Sequence, residues 1–312
     1  MDEVKFSIVI PVYNEEDNVI PLYNELKDVL MEAREPYEVI FVDDGSTDRT
    51  FERLLKLHEV DGRVKIIRFR RNFGQSLALA AGFKHATGEI VISMDGDLQN
   101  DPRDIPRLVE KLNEGYDVVC GWRWDRKDPL FKKWFSRIAN WLRRKITGER
   151  IHDSGCTLRA YRRACLEGLE LFGELHRYIP TLLFWKGYKI GELKVSHRRR
   201  VFGRTKYGWK RLAKGFLDLL VVSFWQKYSY RPMHIFGGVG LLSTLIGFIL
   251  GTYLVILRLF FGVSLAERPL FLISILLILM GIQFMTIGIL SDIMVRLYYR
   301  AEGSYQIEKV VS

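Results

Sequence analysis

Two long uncharged apolar runs limit what this chain can fold into more than any other feature of its sequence. Ile235 to Leu257 contains 23 residues without a charge, and Leu270 to Leu290 contains 21. As helices rising about 1.5 Å per residue, both runs can cross a hydrocarbon core of about 30 Å. Because helices of globular proteins normally keep a polar face, two transmembrane helices are favoured over two buried core helices.

Basic residues flank the outer ends of this hairpin and predict its orientation. Four of them lie outside it (Lys227, Arg231, Arg296 and Arg300), whereas the connection holds only Arg258 and Arg268. The positive-inside rule therefore places both chain ends in the cytoplasm. The sequence predicts a large cytoplasmic domain at 1–208, a juxtamembrane amphipathic segment at 209–231, two transmembrane helices within 232–295 (about 235–257 and 270–290) and a cytoplasmic tail at 296–312.

The net charge of +10 is concentrated in two segments, which predicts an anionic partner. Residues 123–145 hold nine basic and two acidic residues, and residues 194–214 hold nine basic and no acidic residues. Tryptophan, lysine and arginine recur at helical spacing near 134–142, which is typical of a helix on a membrane surface, and a second such helix is predicted at 209–224. We expect membrane lipids and phosphates as partners and no nucleic acid, because the chain has no nucleic-acid-binding motif. A solvated basic face, or packing of these helices on the domain core, stays an alternative.

The first 120 residues alternate between short apolar strands and amphipathic helices. Strands are predicted at 6–12, 37–42, 64–69, 90–94 and 117–120, and helices at 18–30, 76–85 and 102–113. A further helix follows the second strand, with Ser46 or Thr47 as its expected N-cap. This alternation predicts an α/β fold with a mostly parallel sheet and helices on both of its faces.

Acidic residues gather where three of these strands end. Asp43 and Asp44 close the second strand, Asp95 and Asp97 follow the fourth, and Glu15 follows the first. Ligands of such sheets bind at the carboxyl ends of the strands. Because clustered carboxylates repel one another, they favour a divalent cation that shares oxygen ligands with substrate phosphates. Mn²⁺ or Mg²⁺ fits this set, and the lack of a cysteine and histidine ligand pattern argues against zinc. The three cysteines (Cys120, Cys156 and Cys165) are predicted to be reduced and structural.

Three motifs at the strand ends carry a family resemblance. They read SIVIPVYNEE at 7–16, VDDGSTD at 42–48 and DGDLQ at 95–99, and together they resemble family 2 glycosyltransferases of the GT-A fold. Asp101-Pro102, RRNFG at 70–74, GRTKY at 203–207 and the two apolar runs resemble its polyprenyl-phosphate branch. That branch includes dolichyl-phosphate mannose synthases and bacterial undecaprenyl-phosphate glucosyltransferases. The resemblance covers nearly the whole chain and makes the large domain a catalytic one.

The resemblance implies roles for the matching residues of this sequence. Nucleotide-sugar binding is implied for Pro11, Tyr13, Glu15, Asp43, Asp44, Gly74, Asp95, Arg204 and Lys206. Metal binding is implied for Asp95, Asp97 and Gln99, and catalytic roles for Asp97, Asp153 and Arg159. Binding of the acceptor phosphate is implied for Lys133, Arg137, Arg159, Arg177, Arg198 and Arg200.

The implied reaction is metal-dependent, inverting transfer of a hexose from a UDP-glucose-like or GDP-mannose-like donor to dolichyl or undecaprenyl phosphate. The reaction would take place at the cytoplasmic membrane face. Such an acceptor is already anionic and needs no general base. In agreement, the chain has His176 and Arg177 where relatives with alcohol acceptors often carry a Glu-Asp pair. A homo-oligomer is compatible with this design. Another lipid or glycan acceptor, and a non-catalytic scaffold for lipid-linked sugars, stay open as alternatives.

Overall fold

The computed structural model of the protein describes residues 4–124, 147–149, 151–171, 173–198, 232–262, 264 and 269–302, with side chains up to residue 295. The chain divides into two compact units, Met1–Leu219 and Leu220–Ser312. Both predicted interfacial helices, at 134–142 and 209–224, lie outside the described residues. So do five predicted site residues: Lys133, Arg137, Arg200, Arg204 and Lys206.

The first unit is a sheet with helices packed against it. Its strands are β1 (Phe6–Val12), β2 (Tyr37–Asp43), β3 (Val64–Arg68), β4 (Ile90–Ser93), β5 (Val118–Trp122), β6 (Arg159–Arg162) and β7 (Ile190–Lys194). Its helices are α1 (Val19–Glu32), α2 (Thr50–Val60), α3 (Gln75–His85), α4 (Ile105–Asn113) and α5 (Ile179–Trp185). Three single 3₁₀ turns (Pro102–Asp104, Arg163–Leu166 and Leu175–Tyr178) complete the elements of its described residues.

The strand order across the described sheet is β3-β2-β1-β4-β6-β5-β7. Strands β1 to β4 pair in parallel, and β5 pairs in parallel with β7. Strand β6 is antiparallel to both β4 and β5, so β4 and β5 point in the same direction. The mostly parallel sheet is therefore confirmed, and the strands β1, β2, β4 and β5 all end at one edge.

The central strands form because they are runs of apolar residues that become buried on both faces. Every residue of β2 is buried, and so is every residue of β4. Helix α1 buries one face through Leu22, Leu26 and Leu30, which recur every four residues and are at most 1% exposed. This spacing places them on one stripe of the helix, against the sheet.

The start of α2 differs from the expected cap. The helix begins at Thr50, and the carboxylate of Asp48 accepts a hydrogen bond of 3.0 Å from the Thr50 amide. Ser46 instead accepts a hydrogen bond of 2.9 Å from the amide of Asn14, in the loop that follows β1. The prediction of Ser46 or Thr47 as cap was wrong because this loop takes up the Ser46 hydroxyl before the helix starts.

The second unit contains two long helices, α6 (Met233–Phe261) and α7 (Pro269–Glu302). Both are long and apolar enough to cross a membrane, and each extends beyond the uncharged run that predicted it. Small residues form their contact: a Cβ added to Gly240 would lie 2.6 Å from the carbonyl oxygen of Gly281. Ser243 also donates a hydrogen bond of 2.8 Å to the carbonyl of Leu277. Close backbone approach through small residues is typical of membrane helix pairs.

Candidate active site

The loops that follow β1 and β2 are joined by hydrogen bonds at the carboxyl edge of the sheet. Asn14 takes a left-handed conformation (φ 55°), and its side-chain oxygen accepts a hydrogen bond of 2.8 Å from the Thr47 amide. The Glu15 amide donates to the Thr50 hydroxyl at 2.9 Å. Together with the Asn14–Ser46 bond, these contacts make the two loops one wall of the candidate site.

The two aspartates after β2 have different roles in this wall. Asp43 is fully buried, accepts from the Ser46 amide at 2.9 Å and lies 3.4 Å from the Arg68 guanidinium. Asp44 accepts from the amides of Phe73 and Gly74, at 2.7 and 2.9 Å. Asp44 therefore holds the loop between β3 and α3 against the β2 loop.

Glycines permit this arrangement of loops. Gly45 has φ 72°, and a Cβ there would lie 2.5 Å from the backbone of Arg71. Gly74, at the start of α3, has φ 97°, a conformation that L side chains rarely adopt. A cavity of 510 Å³ opens beside these loops, lined by Gly45, Ser46, Thr47, Arg68, Phe69 and Arg70. Pro11, Tyr13 and Glu15 lie at the end of β1 and in the loop after it, outside that lining.

Asp95, Asp97 and Gln99 follow β4 in a tight turn. Asp95 accepts a hydrogen bond of 2.7 Å from the Gln75 side chain, and Asp97 accepts one of 3.1 Å from the Gln99 amide. Between Asp97 and Gln99, Leu98 takes a left-handed conformation (φ 62°) although it is not a glycine. Such strain is held in place by its surroundings, and Leu98 is indeed buried.

The electrostatics of this turn fit a divalent cation. Burial raises the pKa of Asp95, and the neighbouring Asp97 carboxylate raises it further, while Arg123 lowers it. Two carboxylates that repel each other in a partly buried turn are stabilised by a hard cation. Among the described residues, however, no group of three or more histidine, cysteine, aspartate or glutamate side chains could hold a metal. The described residues of this turn therefore offer two carboxylates, Asp95 and Asp97, and the Gln99 side chain as oxygen donors, fewer than a divalent cation takes.

Arg123 is a site residue that the sequence did not single out. It follows β5 directly and donates two hydrogen bonds to Asp153, from Nε at 2.7 Å and from Nη2 at 2.9 Å. The pair is mostly buried, with side chains 12% and 11% exposed. The positive charge of Arg123 also lowers the pKa of Asp95. The pair is therefore linked electrostatically to the turn after β4.

Arg159 and His176 lie inside the domain rather than at its surface. The Arg159 guanidinium donates to the backbone carbonyls of His176 and Ser154, at 2.9 and 2.7 Å. His176 is 6% exposed and contacts the Ser76 hydroxyl through its Nδ1 at 2.9 Å. These bonds thus join Arg159 to the 3₁₀ turn Leu175–Tyr178 and to the loop beside Asp153.

Two predicted phosphate-binding arginines are engaged in ion pairs. Arg177 pairs with Glu174 at 3.0 Å. Arg198 pairs with Glu25 at 2.6 Å and with Asp101 at 2.8 Å, and its amide donates to the carbonyl of Gln99 at 2.9 Å. Arg198 therefore fastens the chain after β7 to the turn that carries the candidate metal ligands.

The three cysteines are buried, and one of them adjoins the site: the Cys156 amide donates to the Asp153 carbonyl at 3.5 Å. All are buried and none forms a disulfide, as predicted. Burial raises the pKa of Cys156 to about 11 and that of Cys165 to about 12, and it raises the pKa of Cys120 further. Thiols with such pKa values stay protonated at neutral pH and are poor nucleophiles.

Comparison with known proteins extends these observations. Residues 7–169 match the family model described as "Glycosyl transferase family 2". The chain is 38% identical over 309 residues to the dodecaprenyl-phosphate galacturonate synthase of Rhizobium johnstonii, covering 97% of this chain and 91% of that protein. It is 39% identical over 311 residues to the undecaprenyl-phosphate 4-deoxy-4-formamido-L-arabinose transferase of Klebsiella pneumoniae (98% and 94% covered).

Solved structures share the fold at lower identity. Glucosyl-3-phosphoglycerate synthase from Mycobacterium tuberculosis, in complex with Mn²⁺ and UDP-glucose, aligns with a TM-score of 0.53 at 18% identity, covering 72% of this chain and 79% of that one. The mannosyltransferase PcManGT from Pyrobaculum calidifontis, in complex with GDP-mannose and Mn²⁺, aligns with a TM-score of 0.50 at 20% identity (96% and 76% covered).

Proposed function

Because the chain belongs to glycosyl transferase family 2, we propose that it transfers a sugar from a nucleotide diphosphate sugar to a polyprenyl phosphate at a membrane surface. The observation that carries this proposal is the extent of the similarity to polyprenyl-phosphate sugar transferases. It spans 97% of this chain in one relative and 98% in another, so it includes the sheet domain and the two long apolar helices.

The donor would bind along the carboxyl edge of the sheet. Asp43, Asp44 and Gly74, with Pro11, Tyr13 and Glu15 from the first loop, are proposed to hold the nucleoside. None of these six residues lines the cavity itself, but its lining begins at Gly45, directly after Asp44. Asp95, Asp97 and Gln99 would hold Mn²⁺ or Mg²⁺, and the cation would neutralise the charge that develops on a departing diphosphate. The solved neighbours with Mn²⁺ and a nucleotide sugar support this choice.

The acceptor would be a phosphate that attacks the anomeric carbon with inversion. It is already ionised at neutral pH, so the protein has to position it and offset its repulsion from the donor. Arg123, which is paired with Asp153 and lowers the pKa of Asp95, supports a reacting centre on this side of the turn after β4. The positive charge for the acceptor phosphate is proposed to come from Arg159, Arg177, Arg198, Arg200, Lys133 and Arg137. Arg204 and Lys206 are proposed to bind the nucleotide sugar.

The sugar is the least constrained part of the proposal. The two relatives are named for galacturonate and for a formamido-arabinose, and the two solved neighbours for glucose and mannose. The hexose predicted from the sequence stays a prediction, and the donor panel must include uronic acid and aminopentose derivatives.

The hairpin would anchor the enzyme so that the polyprenyl tail stays in the bilayer while its phosphate reaches the site. Both candidate spans are long enough for this. The basic residues outside the hairpin favour a cytoplasmic catalytic domain and cytoplasmic chain ends. A homo-oligomer stays a prediction.

A donor screen tests the proposal. Detergent-solubilised full-length protein is incubated with undecaprenyl phosphate, Mn²⁺ and radiolabelled UDP-glucose, UDP-galacturonate, UDP-4-deoxy-4-formamido-L-arabinose or GDP-mannose. The expected result is labelled lipid from at least one donor, lost with a metal chelator and in Asp97→Asn, and retained in the exposed control Glu114→Gln. Labelling that persists in Asp97→Asn would contradict the proposed metal site.

A further inference from the structure

Ser76, the second residue of α3, joins this helix to the segment 173–176 by hydrogen bonds. Its hydroxyl lies 2.7 Å from the carbonyl oxygen of Gly173 and 2.9 Å from Nδ1 of His176. The backbone amide of His176 also donates to the same hydroxyl oxygen at 3.1 Å. Ser76 is 1% exposed, so bulk water does not replace these contacts.

These contacts determine which ring nitrogen of His176 carries a proton. A carbonyl oxygen can only accept, so the single Ser76 hydroxyl proton is directed to Gly173. The hydroxyl oxygen must then be the acceptor for His176, and Nδ1 must be the donor. The neutral imidazole is therefore held as the Nδ1–H tautomer, and its Nε2 carries the lone pair.

The residues just before Ser76 contact the candidate donor site. The amides of Phe73 and Gly74 donate to Asp44, and the side chain of Gln75 donates to Asp95. Residues 73–76, which we call the α3 entry, therefore contact Asp44, Asp95 and His176 within four consecutive positions. A displacement of the α3 entry would move both carboxylates.

On its other side, His176 is bonded to the candidate acceptor half. Its carbonyl accepts from Arg159 Nη1 at 2.9 Å, and Arg159 Nη2 donates to the Ser154 carbonyl at 2.7 Å. Ser154 adjoins Asp153, which holds Arg123 through two hydrogen bonds. Buried or half-buried hydrogen bonds, joined by short stretches of backbone at 73–76, His176 and 153–154, thus connect Asp44 and Asp95, through His176, to Asp153.

We propose that His176, fixed as its Nδ1–H tautomer by Ser76, is a positioning residue that holds the α3 entry in register with the Arg159–Asp153 segment. This inference rests on the proposed function, because it assigns Asp44 and Asp95 to the donor site and Asp153 to the acceptor site. His176 acts through Arg159 and Ser76 and takes no proton from a substrate. A misplacement of about 1 Å between reacting groups costs about a hundredfold in rate, so such a link affects turnover more than binding.

Paired substitutions separate this role from that of a general base. The side-chain amide of asparagine reproduces the Nδ1 donor of histidine, whereas that of glutamine reaches the place of Nε2. We expect His176→Asn to keep kcat within about threefold of the parent, and His176→Gln and Ser76→Ala to lose about tenfold or more with KM for the donor changed less than about threefold. His85→Gln is the control, because His85 lies on the last turn of the same helix and its Nδ1 donates to the Ala81 carbonyl.

The pH profile distinguishes the two roles further. A positioning residue predicts that kcat in His176→Asn has the same pH dependence as in the parent. Equal and large losses in His176→Asn and His176→Gln, with the acidic limb of the profile removed, would overturn the proposal in favour of a base.

A tautomer measurement tests the proposal without turnover. Histidine-selective nitrogen NMR of the full-length protein in micelles should assign the Nδ1–H form to His176, as to the internal reference His85, and Ser76→Ala should change only the His176 signal. An Nε2–H form of His176 in the parent would overturn the proposal even if the enzyme is active. If no donor is turned over, the proposed function fails, while the NMR result still supports or overturns the tautomer assignment.

Discussion

Gln75 donates a hydrogen bond of 2.7 Å to Asp95, so the first residue of α3 holds the first acidic residue of the turn after β4. The contact joins two elements that are 20 positions apart in the chain. A neutral donor stabilises the ionised form of a carboxylate. This bond lowers the pKa of Asp95 and so offsets part of the increase that burial and the Asp97 carboxylate cause.

Replacing Gln75 should weaken metal binding. In Gln75→Leu, Asp95 would lose the donor that stabilises its ionised form, and we expect Mn²⁺ affinity to fall by about tenfold, measured by calorimetry with UDP present. Lys84→Ala, on the last turn of the same helix, is the control and should bind Mn²⁺ like the parent. Unchanged affinity in Gln75→Leu would show that Asp95 does not depend on this contact.

The Arg123–Asp153 pair should behave as one unit. We expect Arg123→Gln and Asp153→Asn each to lower kcat by about tenfold or more, because each leaves the other group buried without its ionic partner. The double variant should be no worse than either single variant, since the interaction is already lost. Arg163→Gln serves as control, because Arg163 bonds the carbonyl of Thr87 at the opposite edge of the sheet. Additive losses would contradict the pairing.

Asp61 should make stability depend on pH. Hydrogen bonds from Arg63, at 2.9 and 2.6 Å, and from Tyr23 outweigh burial and hold the pKa of Asp61 well below its usual range. Because the folded-state pKa is below the unfolded value of about 3.9, the stabilisation is present above about pH 4 and is lost as pH falls further.

The test of this linkage is urea unfolding of the full-length protein in micelles. We expect Asp61→Asn to lower the free energy of unfolding by about 2 kcal/mol at pH 7. The loss should be smaller at pH 3, because the unfolded chain then binds a proton at Asp61 that the folded protein does not, and this offsets part of the gain from Arg63. Asp28→Asn, at an exposed position of α1, is the control. An equal loss at both pH values would rule out the proposed linkage.

Two neighbouring glycines of α6 should differ sharply in their tolerance of a side chain. A Cβ at Gly240 would lie 2.6 Å from the Gly281 carbonyl oxygen, whereas a Cβ at Gly238 would have no heavy atom within 4 Å. We expect Gly240→Leu to lower the thermal transition of the micelle-bound protein by several degrees and Gly238→Leu to leave it near the parent value. Similar transitions for both variants would contradict the helix contact.

Much of the fold could be predicted because its signals are local in sequence. Apolar β-branched runs predict β1 to β5, and the uncharged runs predict α6 and α7, whereas the parallel strand β7 was not predicted. Strand β6 was not predicted, since its four residues include two arginines and its pairing with β4 joins positions about 70 apart. The cap of α2 was wrong because a hydroxyl near a helix start can serve a neighbouring loop just as well.

The acidic residues of the candidate site could be predicted from the sequence more readily than the contacts of its arginines. Acidic residues at strand ends are few, so Asp44, Asp95 and Asp97 stand out. Arg123 follows a strand in the same way, but it is one of nine basic residues within 123–145. The ion pairs of Arg198 with Glu25 and Asp101 join distant parts of the chain, and no local pattern indicates them.

The central claim is transfer to a lipid phosphate, and a paired acceptor assay tests it most directly. The full-length protein in micelles receives one labelled donor with either undecaprenyl phosphate or undecaprenol, under identical conditions. We predict labelled product from the phosphate, at a rate that exceeds any reaction with the alcohol by a hundredfold or more. Such a ratio corresponds to a difference of about 2.7 kcal/mol in activation free energy. The reason is that the chain offers cations rather than a general base to its acceptor. Comparable labelling of undecaprenol would contradict this account and would mean that the site activates a hydroxyl group.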